Sequence, residues 1–520
     1  MNRFGRREFF VDVGRGMLAA TVGLGVARDL KLSPAFAEET PPPLSFGALE
    51  PLVALIEETP DERIVPALVD RLQKGTSLRD LTAAGALASA RRQSPSEYNG
   101  MHAFLALAPA YAMALQSPKD RQALPILKVV ARNAGCIHGP RLRDTPRLQA
   151  VAPTALPKGR SGGELLRAAR EPDEAVRILA GLLTQESPRE AYDDLLSNAI
   201  EQRVDVHGVV MAWRAWDMLE LTGEKHALTM LRHSVTGGGD EKFGRLLAGL
   251  FDRYRLHDRP KGGGSPARQA DDSWVDSLSR TIFKAGRTEA IEAVASALGE
   301  GIDPGAIGEA ISLAATRVML HDPGDDGRTV HGGQAGVHAC DAMNAWRNIA
   351  RVSNLRNARA SLIAATWYVA GARDGGIRAG GKYMKNGGLE HPYPQEPHLE
   401  KIRTKDPAAL LREADGAIRE NDQGRACAAV QRYGESGGDP KPIIDLLLRF
   451  ATSEDGNNHA EKFYRTATQE FATTRAAFRW RHLVGLARVT ASEFGWAGNK
   501  RARDESYDEA CRLLRLNPEG

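Results

Sequence analysis

The chain has 520 residues, 42% hydrophobic and 26% charged, with a formal net charge of +3. The length suits several domains' worth of core at about 100–200 residues per domain, and the composition is that of a globular protein. No apolar run approaches the roughly 18 residues of a membrane-spanning helix, and the charge is too small for the broad basic face of a nucleic-acid-binding protein.

The first elements in chain order are those of an export signal. Arg6-Arg7 precede Phe9 and Phe10, a mildly apolar stretch runs from Met17 to Ala27, and Ala35-Phe36-Ala37 stand before Glu38. Basic region, apolar region and small-x-small site follow in the order that export requires, and the paired arginines point to the twin-arginine route. Residues 1–37 hold six Lys/Arg and three Asp/Glu, so cleavage after Ala37 leaves 63 of each sign. The expectation is a periplasmic or secreted protein that meets the twin-arginine export machinery and, once mature, has neither a membrane span nor nucleic acid as a partner.

A linker, 38–48, contains Pro41-Pro42-Pro43. Beyond it apolar residues recur at three- and four-residue spacing, as in Leu49, Leu52, Val53, Leu55 and Ile56, which predicts amphipathic helices. Alanine-rich segments such as LTAAGALASA favour close helix packing. The fold expected is all-α, with helical hairpins packed as a multi-helix bundle or α/α array around a central pocket. Loop compositions at 141–163, 258–272 and 371–407 divide the chain. They give an N-terminal helical half (49–257), a linker loop (258–272) and a C-terminal half (273–515) that contains the long loop 371–407. The four cysteines, Cys136, Cys340, Cys427 and Cys511, are scattered. A disulfide framework is not expected from them, although one or two bridges are open to an exported chain.

Four segments repeat one feature: YNGMHAFLALAPAYAM, VDVHGVVMAWRAWDML, AGVHACDAMNAWRNIA and GNNHAEKFYRTATQEF each place a histidine after a turn-like approach to a helix. Near exposed N–H groups and the positive end of the helix dipole the neutral imidazole is favoured, and a neutral ring binds a metal or accepts a proton. His102, His207, His338 and His459 are the candidates. Asp341, three residues after His338, shares its helix face and is placed as a ring-orienting carboxylate. Lys462, one turn beyond His459, puts a second cationic group on that face, where each lowers the other's pKa; such a pair serves as a base or stabilises an oxyanion. The same four histidines are the candidate ligands of a mononuclear iron or zinc ion, although no His-Glu-x-x-His pattern is present. His331 belongs to the turn HGGQAG, and His226 and His233, seven apart, are read onto one helical face. The tryptophans (Trp213, Trp216, Trp346, Trp367, Trp480) fill core or line a pocket.

The chain resembles the questin-oxidase-like family. The likeness is carried by His459-Ala-Glu-Lys462-Phe463, by Gly100-Met-His102-Ala103 running to Tyr111, and by the helix starts at His207 and His338. It implies an all-helical fold, an oxidoreductase activity on an aromatic or quinone-like small molecule, and NADPH as a cofactor. The residues thus predict an exported oxidoreductase with a histidine-lined pocket. The alternative is a periplasmic helical scaffold that binds a partner and uses its histidines only as turn and capping residues.

Overall fold

Alternation of small and branched apolar side chains lets helices approach closely, and the segment Leu78–Arg91 shows how. Ser77 caps it by accepting from the Asp80 N–H, and every residue from Leu81 to Arg91 is buried. At Gly85 a Cβ would stand 3.2 Å from Val130, so the glycine admits the neighbouring helix at close range.

The computed structural model describes residues 44–519 except 203–204, 236–240, 258–267, 323–334, 379–391, 455–457 and 495–502. Residues 1–37, read from sequence as an export signal, His331 and much of 258–272 lie outside these residues. Among the described residues the fold is all-α: there is no strand, and β-type pairing is confined to two isolated bridges, Arg268 with Ile302 and Glu454 with Arg503. No described helix is long and apolar enough to cross a membrane.

The helices that position the site are α1 (Tyr98–Leu105), α2 (Leu107–Gln116), α3 (Ala123–His138), α4 (Val206–Asp217), α5 (Pro304–His321), α6 (Ala335–Val352), α7 (Leu355–Arg378), α8 (His459–Thr473) and α9 (Trp480–Glu493). Helix α6 is the hub. It packs on α4, α5, α7 and α8, and buries nearly every side chain from Gly336 to Ile349. A short turn joins it to α7 in a helical hairpin, and Asn354 starts α7 by accepting from the Asn357 N–H at 2.9 Å. Leu44–Gly520 forms one compact unit, in which α4 from the first half of the chain lies against α6 from the second.

Two sequence expectations change. Glycine content predicts loop from 371, yet α7 continues to Arg378, Glu396–Lys401 is a short helix, and the next helix begins at Pro407. Gly371 serves packing instead of turning: Arg287 crosses there, 2.2 Å from where a Cβ would stand, and the burial available outweighs the low helix propensity of glycine. His226 and His233 do not share one helix, because 3-10 turns at Glu224–His226 and Arg232–Ser234 flank the short helix Ala227–Leu231.

The cysteines are all free, with Cys340, Cys427 and Cys511 buried. The tryptophans are dispersed: Trp216 stacks on Tyr192, Trp367 meets Phe243, and Trp480 lies against Tyr433 and Phe471. They fill core and do not form a shared pocket wall.

Candidate functional site: a ring of four histidines

Each of the four helices begins so as to present a histidine in its first turn or just beyond it. In α1, Glu97 caps by accepting from the Gly100 N–H at 3.0 Å. Gly100 is required there, since a Cβ would stand 2.2 Å from Ser94 O. In α4, Asp205 accepts from the Gly208 N–H at 2.9 Å. Asp322 Oδ2 accepts from the Gly336 N–H of α6 at 2.9 Å. Helix α8 opens directly at His459, behind Asn458 in the left-handed region at φ 65°, a conformation asparagine tolerates better than most residues.

These four starts converge. The ring centroids of His102 and His207 are 5.3 Å apart, those of His207 and His338 5.5 Å, of His338 and His459 6.3 Å, and of His459 and His102 4.6 Å. His102 and His459 are buried, at 1% and 4% exposure, while His207 and His338 are partly open. His207 and His338 are thus the more open members, although Nε2 of all four rings is shut off from solvent.

Lys462 joins it from α8, with Nζ 2.9 Å from His102 Nδ1. An ammonium can only donate, so with Lys462 charged Nδ1 accepts and a neutral His102 carries its proton on Nε2. Burial pulls the Lys462 ammonium down to about 8, against the upward pull of Asp341 and Glu461. The physical cause thus differs from the sequence expectation: removal from water, and not a neighbouring His459 charge, makes this lysine a ready proton donor and acceptor near neutral pH. Asp341 Oδ1 accepts from Thr466 Oγ1 at 2.9 Å, so α6 and α8 are tied at the level of the carboxylate.

Further groups complete the surroundings. Arg214, seven residues after His207 on α4, is 3% exposed. Its guanidinium donates to Asp217 and is drawn down to about 10 by burial and by the nearby Arg465. Tyr98, four residues before His102, lays its ring 4.6 Å from His102 and 5.7 Å from His207. Sequence reading missed both, although each spacing places the residue on its histidine's helix face. Behind the cluster, α3 supplies two ties. Asn133 Nδ2 donates to Ala103 O at 2.9 Å, and Lys128 Nζ pairs with Glu461 Oε1 at 2.5 Å.

Below Asp341 the seam between α6 and α8 stays polar. Glu470 takes hydrogen bonds from Ser312, Asn344 and Arg347. His482 of α9 bridges Thr316 and Thr474 at 3.0 Å each, and burial brings its imidazole down to about 4. His233 is half-buried, and removal of its ring from water likewise draws it down to about 4.

Among the described residues no group of three or more His, Cys, Asp or Glu side chains is arranged to hold a metal ion. The imidazole donors suit zinc or iron in kind. A cleft of about 590 Å³, lined by Lys119, Arg121, Lys441, Arg449 and Tyr507 among others, lies apart from the histidines.

Set against known proteins, the chain matches no family model, no curated protein and no solved structure. The likeness to the questin-oxidase-like family accordingly rests on the short motifs around His102, His207, His338 and His459.

Proposed function

We propose that the four-histidine ring is the reaction centre of an exported, oxidoreductase-like protein that acts on an aromatic or quinone-like small molecule. The observation that carries this reading is the meeting of four imidazoles from four helices, with a buried lysine in hydrogen-bond range of one of them. A scaffold that used histidines only as capping residues would have no reason to gather them.

The chemistry follows from the residues. Loss of a proton from a hydroxyl on an aromatic ring gives an electron-rich anion, the form most readily oxidised. Lys462 in its uncharged form accepts that proton and becomes the ammonium that donates to His102 Nδ1, and the positive charge so formed, with that of Arg214, favours the oxyanion in a site shielded from water. Asp341, held by Thr466, keeps the charge of Lys462 balanced while the proton moves. NADPH and a bound iron or zinc belong to the resemblance and to the donor type respectively, and none of these steps passes through them.

The test is a titration with 2-hydroxyanthraquinone, a phenol that is largely un-ionised at neutral pH and whose neutral and ionised forms absorb differently. Wild-type protein should bind it and shift its spectrum toward the anion at a pH below the free compound's own transition, and His102→Ala and Lys462→Met should abolish the shift. Metal content is measured on the same exported protein and on His338→Ala and His459→Ala. A folded wild-type protein that leaves the spectrum unchanged would refute the proposal.

A further inference from the structure

Tyr98 is exposed to 53%, one of few large apolar side chains so placed among the described residues. An isolated exposed aromatic needs no explanation, but this one is anchored to the site. It is the first residue of α1, held by the Glu97 cap and by the tight approach of Gly100 to Ser94, and Glu97 is itself paired with Arg141 at 2.8 Å. One part of the ring lies against His102 and His207, and the rest is open to solvent. A side chain with two rotatable angles, fixed at its base and bare on one side, is a ready platform for another flat ring.

We propose that Tyr98 is the specificity-determining residue of this site: a flat, unsaturated ligand lies along its ring while the ligand's polar edge turns toward His207. The inference rests on the reading of the histidine ring as a reaction centre. It adds that selection among small molecules is made by shape and π-character at Tyr98, before any proton moves. The ligand-facing imidazole is then His207, the partly open ring that Tyr98 touches, and the buried His102–Lys462 pair acts from behind it. Tyr98 works here through ring contact, so its hydroxyl is dispensable.

The experiment compares two probes of similar size on the full chain by calorimetry: flat 1,4-naphthoquinone and its saturated, puckered relative decahydronaphthalene-1,4-dione. Wild type and Tyr98→Phe should prefer the flat probe, and Tyr98→Leu should lose about two- to tenfold of that preference, the range expected for one aromatic pair. Carbethoxylation of His207, mapped by mass spectrometry, should be slowed in wild type by the flat probe and much less so in Tyr98→Leu. An unchanged preference in Tyr98→Leu, or equal affinity of wild type for both probes, overturns the role of Tyr98 and leaves the reaction centre standing. Failure of wild type to take up either probe overturns both.

Discussion

Replacing Lys128 with Met isolates the support behind the histidine ring. The Lys128 ammonium, 2% exposed, faces the Glu461 carboxylate, 1% exposed, at 2.5 Å, and it also donates to Ala451 O and Glu454 O at 3.1 Å each. All three ammonium protons therefore have acceptors. Lys128→Met leaves Glu461 buried without its counter-charge and removes the donor from two carbonyls, and removing one partner of a buried pair costs about 3–5 kcal/mol. Replacing both, as Lys128→Met/Glu461→Met, removes the stranded charge and should recover at least about 2 kcal/mol of that loss. Urea unfolding followed by circular dichroism measures each cost, and hydrogen exchange at the amides of 459–463 reports on the start of α8 directly. The single variant should exchange faster there than the double. A single-variant cost below about 1 kcal/mol, or a double variant no better than the single, would refute the claim that this pair holds α8 in place.

Lys462 gives a pH signature. Its folded value, about 8, is below the ordinary lysine value of 10.5, so between these limits the unfolded chain holds a proton that the folded one lacks, and stability rises with pH. Subtracting the Lys462→Met stability curve from that of wild type should show a gain on the order of 3 kcal/mol from pH 8 to 10.5; a flat difference would mean that the lysine is not desolvated. His233 and His482, each drawn from 6.5 to about 4, should make stability fall as pH drops from 6.5 toward 4, because the unfolded chain protonates first. In His482→Gln the acid-side loss measured by urea midpoints should be smaller than in wild type, and an identical loss would count against a neutral, buried His482. Gly100→Ala should lower the thermal midpoint by the equivalent of about 1–3 kcal/mol, the usual cost of overpacking, since its Cβ would stand 2.2 Å from Ser94 O; an unchanged midpoint would show that the turn before α1 yields freely.

The helical class was legible because it depends on local pattern. Three- and four-residue apolar spacing and alanine-rich stretches act within single elements, and the histidine-bearing helix starts repeat one local feature four times. Their meeting in space is a different kind of fact. Lys462 and His102 are 360 positions apart, so helical spacing suggested His459 as the lysine's partner while the tertiary packing delivers it to His102. The Lys128–Glu461 pair was invisible for the same reason. Tyr98 and Arg214 were within reach, four and seven residues from histidines already singled out, but an aromatic and an arginine on a helix read first as core and surface. At Gly371 a local rule failed outright, because the crossing of Arg287 decides that position and composition does not record it.

The two supports of the ring differ in kind, and the difference bears on how the site works. Helix α3 reaches α1 through Asn133 and α8 through Lys128, so it bridges the helices of His102 and His459, whose rings are the closest neighbouring pair at 4.6 Å. The widest neighbouring gap, 6.3 Å between His338 and His459, lies above the polar seam in which Thr466 meets Asp341 and Asn344 meets Glu470. Hydrogen-bonded side chains in such a seam fix register without demanding the tightest approach of backbones. The buried His102–Lys462 pair is thereby held from behind by a charge pair, while the wider gap leaves room between His338 and His459. A substitution in α3 should accordingly disturb proton transfer and stability together. One at Tyr98 should disturb selection alone, since that residue touches the ring from the solvent side and takes no part in holding it.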